Sequence, residues 1–145
     1  MANYRIALKV DIPQGELFTY LVTLTNTTQW EPSVTRARAE RPGAIGIGSG
    51  FDLEIRARTH ARAFAFKIVE FDSPQSAVLE AITRAFYSRI TLMVQKIDES
   101  SSVMDYELIL RRRGFGAIFN GLLYLPVRRI GKRARINLEK VLNAH

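Results

Sequence analysis

The sequence predicts an α+β protein in which a strongly curved antiparallel sheet of seven strands wraps around a long C-terminal helix. Two observations carry this. From Thr35 onward, for about 80 residues, polar and apolar positions keep a period close to two, interrupted by turn signals, as in consecutive half-buried strands. Beyond them, apolar residues recur at three- and four-residue steps with Arg and Lys between, as in one amphipathic helix. A sheet with one apolar face needs a cover, and that helix can supply it.

The first strand is Tyr4 to Ile12: Tyr4, Ile6, Leu8, Val10 and Ile12 share one face, and Asn3, Arg5, Lys9 and Asp11 the other. Pro13 ends it. QGELFTYLVTL then places Leu17, Phe18, Leu21, Val22 and Leu24 at helical intervals, with Pro13 and Glu16 suited to a helix start. The remaining strands are expected near residues 34–41, 50–58, 61–71, 76–84, 86–97 and 102–113. The turns between them are marked by RPGAIGIGSG, Thr59 with His60, FDSPQS, Thr83 to Ala85, and IDESSS. Short links throughout make an antiparallel meander. In the C-terminal segment the apolar stripe runs Phe115, Ile118, Phe119, Leu122, Leu123, Val127, Ile130, Ala134, Leu138 and Val141. Pro126 lacks a backbone donor and costs about 3 kcal/mol inside a helix, so a break or kink is expected near Leu125.

At 145 residues, 47% hydrophobic and 24% charged, the chain has the size of one domain, residues 1–145, with a single core. It contains no cysteine, which rules out disulfides and thiolate chemistry. No stretch of sequence is apolar for the 18 or so residues that a membrane span requires, so a cytoplasmic, at most membrane-peripheral, protein is expected. The net charge of +7 is unevenly placed: from Arg111 onward there are nine Lys/Arg against Glu139 alone.

GAIGIGSG resembles a phosphate loop, but the alternating FDLEIRART follows it where such a loop requires a helix, and Lys is missing from its end. A hairpin loop, with glycines supplying positive φ, is the reading that fits. Of the two histidines, His145 is terminal and His60 stands at a turn beside Arg58 and Arg62; neither suits a triad, and no cluster has metal-ligand spacing. No metal or cofactor is expected. Asp52 and Glu54 share a strand face with Arg56 and Arg58, as on an outer face laced by charge pairs. Glu80 is expected to point outward and pair with an arginine of a neighbouring strand.

Asp11-Ile12-Pro13, then Phe18 and Leu21, Trp30 with Pro32, Gly46-Ile47-Gly48-Ser49 before Phe51, and Ile68-Val69-Glu70-Phe71-Asp72-Ser73-Pro74 run in an order and spacing similar to one group of proteins. On these residues the chain resembles the START/Bet v 1-like (SRPBCC) superfamily, in particular its polyketide cyclase/dehydrase and lipid-transport group. One position departs: Thr25 and Asn26 stand where an acidic residue often precedes the second helix.

The resemblance implies the helix-grip fold over the whole chain, with two short helices between strands 1 and 2. It places Trp30 in the second of these, at the seam between helices and sheet near a cavity mouth. It also implies an apolar ligand held between sheet and C-terminal helix. Phe51, Leu53, Phe64, Phe66 and Tyr106 are then the sheet-side lining, with Trp30 at the seam, and Phe115, Phe119 and Leu122 form a helix-side lid. The Tyr87 and Tyr106 hydroxyls would orient a polar end of the ligand.

The expected function is therefore a carrier or sequestering protein for a lipid, polyketide or similar molecule. The alternatives are a cyclase or dehydratase without metal or histidine base, and an interaction module acting through the basic helix. Arg128, Arg129, Lys132, Arg133 and Arg135 are candidates for contact with an anionic membrane, where each Lys/Arg contributes about 1 kcal/mol. Nucleic acid is disfavoured because the basic side lacks base-stacking aromatics.

Overall fold

A computed structural model describes residues 2–57, 60–113 and 124–144. The elements run β1 (Ala2–Val10), α1 (Gln14–Val22), a 3-10 helix (Leu24–Gln29), β2 (Val34–Ala39), β3 (Gly50–Ala57), β4 (His60–Asp72), β5 (Ser76–Ile82), β6 (Phe86–Asp98), β7 (Ser101–Arg112) and α2 (Tyr124–Asn143). The strands form one curved sheet of seven in the order β1-β7-β6-β5-β4-β3-β2. All of its pairings are antiparallel. This is the helix-grip architecture that the sequence predicts, with strand bounds within a few residues of those expected.

Alternation decides which side chains fill the concave face. Tyr4, Ile6, Leu8 and Val10 on β1, Phe64, Phe66 and Ile68 on β4, Phe86, Ile90, Leu92 and Val94 on β6, and Met104 and Tyr106 on β7 are all buried. Their sequence neighbours point the other way. Arg5, on the outer face of β1, pairs with Asp105 of β7, and Arg38 lies 3.6 Å from Asp52. Glu80 faces outward as expected, although its bonded partner is the Tyr87 hydroxyl and not an arginine.

α1 buries Leu17, Phe18, Leu21 and Val22 and closes one end of the concave face. There Phe18 meets Phe71 at 5.7 Å, and Gln14 Nε2 donates to the Val94 carbonyl at 3.0 Å. In the β2–β3 loop, Gly43 (φ 122°) and Gly48 (φ 86°) supply the positive φ expected of a hairpin. α2 lies against β1 with Ala134, Leu138 and Leu142 buried and Lys132, Arg133, Arg135 and Ile136 exposed. Burial of each such Leu contributes about 1.5–3 kcal/mol. Pro126 falls in the first turn of α2, where its missing N–H has no intrahelical acceptor to satisfy. The segment on the other side of the expected break, 114–123, lies outside the described residues.

Candidate ligand-binding site

The candidate site is the concave face beneath α2. Of the sequence-predicted lining, Trp30, Phe51, Leu53, Phe64, Phe66 and Tyr106 are buried on this side. Phe64 stacks on Phe66 at 6.2 Å and tilts against Phe86 at 6.1 Å, so that an aromatic strip crosses from β4 to β6. Phe115, Phe119 and Leu122, the expected lid, lie outside the described residues.

Tyr87 is placed elsewhere. It alternates with Phe86 and Ser88, which are buried, and so lies on the outer face, bonded to Glu80 with the Arg111 guanidinium carbon 4.7 Å from its ring centre. It cannot orient a ligand on the concave side. Trp30 also differs in detail: it follows the 3-10 helix directly and does not lie within it, and its N–H donates to the Thr27 carbonyl at 3.2 Å. Its indole meets the Tyr106 ring edge-on, at 5.1 Å and 88°.

Next to Trp30 the core holds a carboxylate that sequence reasoning missed. Glu31 is 2% exposed. One of its oxygens accepts the Tyr4 hydroxyl, and the other accepts the Ser33 backbone N–H at 3.0 Å and the Ser33 hydroxyl at 2.9 Å. Tyr4 in turn stacks on Tyr106 at 6.2 Å. Burial pushes the Glu31 carboxyl above the ordinary carboxylate range, and the hydrogen bonds from Tyr4 and Ser33 only partly pull it back. Burial first, and the Glu31 charge next, push the Tyr4 and Tyr106 phenols up. Glu31 thus accepts three hydrogen bonds in surroundings that favour its protonated form more than water does. A signal was available in the sequence: Glu31 is the one charged residue between Asp11's helix-linked segment and β2 that directly adjoins the lone Trp.

A raised carboxyl pKa makes the folded state bind the proton more tightly than the unfolded chain does. Stability from protonated Glu31 is thus fully present below the ordinary carboxylate range of about 4, and is lost as pH rises through the raised folded value. Glu31→Gln removes this titration. The variant is expected to gain stability relative to the parent steadily from about pH 4 upward, as read from urea unfolding at a series of pH values; a difference independent of pH would contradict the burial assignment.

The parity that fills the concave face also reaches two cations. Arg62 continues the phase of Phe64 and Phe66, and Arg112 that of Tyr106, Leu108 and Leu110. Their guanidinium carbons lie 4.9 Å and 5.4 Å from the Phe86 ring centre. At this end the inward-facing Ile55, Leu108 and Leu110 are only partly buried, whereas Ile68, Leu79, Leu92 and Met104 farther along are closed off. Two surface grooves of about 600 and 770 Å³ flank α1, under the β2–β3 loop and beside Leu142; of the expected lining, only Phe51 borders either.

No protein-family model and no curated protein matches the chain. Solved structures do. A START superfamily protein from Mycobacterium smegmatis superposes with a TM-score of 0.73 at 12% identity, over 99% of both chains. Ara h 8.0201 gives 0.64 at 11% identity, over 99% of this chain and 98% of its own. The di-domain ARO/CYC protein BexL, from the BE-7585A biosynthetic pathway, gives 0.65 at 14% identity over 99% of this chain, which spans 48% of that one. At these identities the likeness concerns the fold: the chain has the helix-grip fold of START and Bet v 1-like (SRPBCC) proteins.

Proposed function

We propose that the protein binds a hydrophobic small molecule, a lipid, polyketide or similar compound, between the sheet and α2, and acts as its carrier or sequestering protein. The observation that carries this reading is the gradient along the concave face: a fully buried apolar floor of Leu53, Phe64, Phe66 and Tyr106 leads to partly exposed Ile55, Leu108 and Leu110 at one end. An apolar surface that is fully buried at one end and only partly buried at the other suits entry of a water-averse molecule. The mechanism is exclusion of water, with Trp30 walling the seam and Phe115, Phe119 and Leu122 proposed as the lid.

The test is titration with an apolar fluorescent probe followed by energy transfer from Trp30. Saturable binding that weakens about tenfold in Leu53→Asp, a charge placed on the floor, is expected. Probe binding that is unaffected by this variant, with its fold intact by circular dichroism, would place the ligand elsewhere.

A second reading, a cyclase or dehydratase, has the buried Glu31–Tyr4 pair in its favour, since such a pair can deliver a proton to a bound polyketide. Glu31→Gln would then abolish turnover while leaving ligand affinity unchanged. The exposed Lys132, Arg133 and Arg135 of α2, with Arg128 and Arg129 preceding them, are proposed to bring the carrier to anionic membranes. No described helix is long and apolar enough to cross one.

A further inference from the structure

We infer that the open end of the concave face is an anion subsite, in which Arg62 and Arg112 receive the negatively charged oxygen head, carboxylate or phosphate, of an amphipathic ligand whose chain lies along the aromatic strip. This rests on the reading of the concave face as the ligand site, and specifies its chemical class. In the antiparallel meander the β3–β4 turn, the β5–β6 turn and the C-terminus of β7 all fall at one end of the sheet. Among the described residues, the segments that meet there, 55–57 with 60–66, 81–89 and 108–113, carry seven arginines and no Asp or Glu, with Glu54, Glu80 and Glu107 next along β3, β5 and β7. Asp11, Glu40, Asp72, Asp98 and Glu99 sit at the opposite end. The sheet is thus charged asymmetrically along its strands, and its positive end coincides with the less buried end of the concave face.

Within that cluster only inward-facing arginines can meet a ligand on the concave side, and strand parity selects Arg62 and Arg112. Both stand over the Phe86 ring, so two cations converge where apolar lining gives way to solvent. Among the described residues Arg62 forms no ion pair. Hydrogen bonds anchor the turn that carries Phe86. The Phe86 N–H donates to the Thr83 hydroxyl oxygen at 2.9 Å, its carbonyl accepts the Thr83 N–H at 2.8 Å, and the turn is tied to β7 by the Arg113 N–H donating to the Ala85 carbonyl at 2.8 Å and Arg113 Nη1 donating to the Thr83 carbonyl at 2.6 Å. A planar guanidinium matches a carboxylate or phosphate through paired N–H donors. A neutral alcohol of the same chain length offers no such match.

The experiment compares palmitate, hexadecyl phosphate and hexadecanol binding to the full chain by titration at low and high salt, with Arg62→Gln/Arg112→Gln as the variant. At least one anion is expected to bind about tenfold more tightly than hexadecanol, the preference shrinking with salt. The double variant should lose the preference and keep its hexadecanol affinity, and the anion that wins identifies the head. The exposed Arg62→Gln alone should show a partial loss, which serves if the double variant does not fold. Equal binding of all three, or a preference that survives in the variants, overturns the anion subsite while leaving apolar ligand binding in place. No binding of any of the three overturns both.

Discussion

Trp30→Ala is expected to lower the unfolding free energy by about 3–5 kcal/mol, the range for deleting a large buried aromatic. The residue is 2% exposed and joins three parts of the fold: the end of the 3-10 helix, β7 through the edge-on contact with Tyr106, and the chain entering Glu31 and β2. The ring geometry itself adds about 0.5–1.5 kcal/mol beyond area burial. Trp30→Phe keeps an aromatic edge and should lose roughly half as much, about 2 kcal/mol. Urea unfolding followed by circular dichroism measures both. A loss below about 1 kcal/mol for the alanine variant would mean that the indole is not an anchor, and that its burial serves the ligand alone.

Gly131→Val is expected to be the second large effect. A Cβ at this position would stand 2.5 Å from Tyr4 Cβ and 2.7 Å from its Cγ, closer than any side chain tolerates. α2 approaches β1 there with no room for a methyl group, so a larger residue must lift the helix or displace Tyr4 from Glu31. Overpacking of this kind costs about 1–3 kcal/mol, and separating Tyr4 from its buried carboxylate adds about 1–3 kcal/mol for the unsatisfied group. Even Gly131→Ala, which gains up to about 1 kcal/mol of helix propensity, should be net destabilising. Thermal unfolding of the Ala and Val variants, with the near-ultraviolet signal of Trp30 and the tyrosines as the local probe, tests this; an alanine variant more stable than the parent would show that α2 is not seated on Tyr4.

These two positions show what the sequence disclosed and what it withheld. The meander was legible because each strand buries one face, so period two survives over β3 to β7, and because Gly, Pro and Ser mark the turns. The long helix was legible from its apolar stripe, down to the burial of Ala134 and Leu138. Gly131 gave only an ambiguous signal: within a helix it costs up to about 1 kcal/mol relative to Ala, and only the approach of β1 shows what it is for. For Glu31 the one signal, its place beside the lone Trp, does not by itself predict burial. A carboxylate beside Pro32 suggests a solvated loop, and its burial depends on Tyr4, which is 27 positions away and reaches it only when β1 is laid against the seam.

For the site, strand parity identifies the buried floor. Extending the alternation of Phe64 and Phe66 by one step reaches Arg62, and extending that of Leu108 and Leu110 reaches Arg112. The same rule removes Tyr87, which is out of phase with Phe86 and Ile90. The charge of the C-terminal segment is legible because its basic residues cluster in sequence. The arginines at the end of the sheet are dispersed over three segments, and only the strand order assembles them.

The central claim is that the concave face holds an apolar molecule, and native mass spectrometry of the freshly purified protein tests it most directly, followed by organic extraction of whatever travels with it and by addition of palmitate to the stripped chain. An adduct that survives gentle desolvation and is released by extraction, or uptake of one palmitate by the empty protein, is expected. A bare mass at every stage, with no uptake of palmitate, would contradict it.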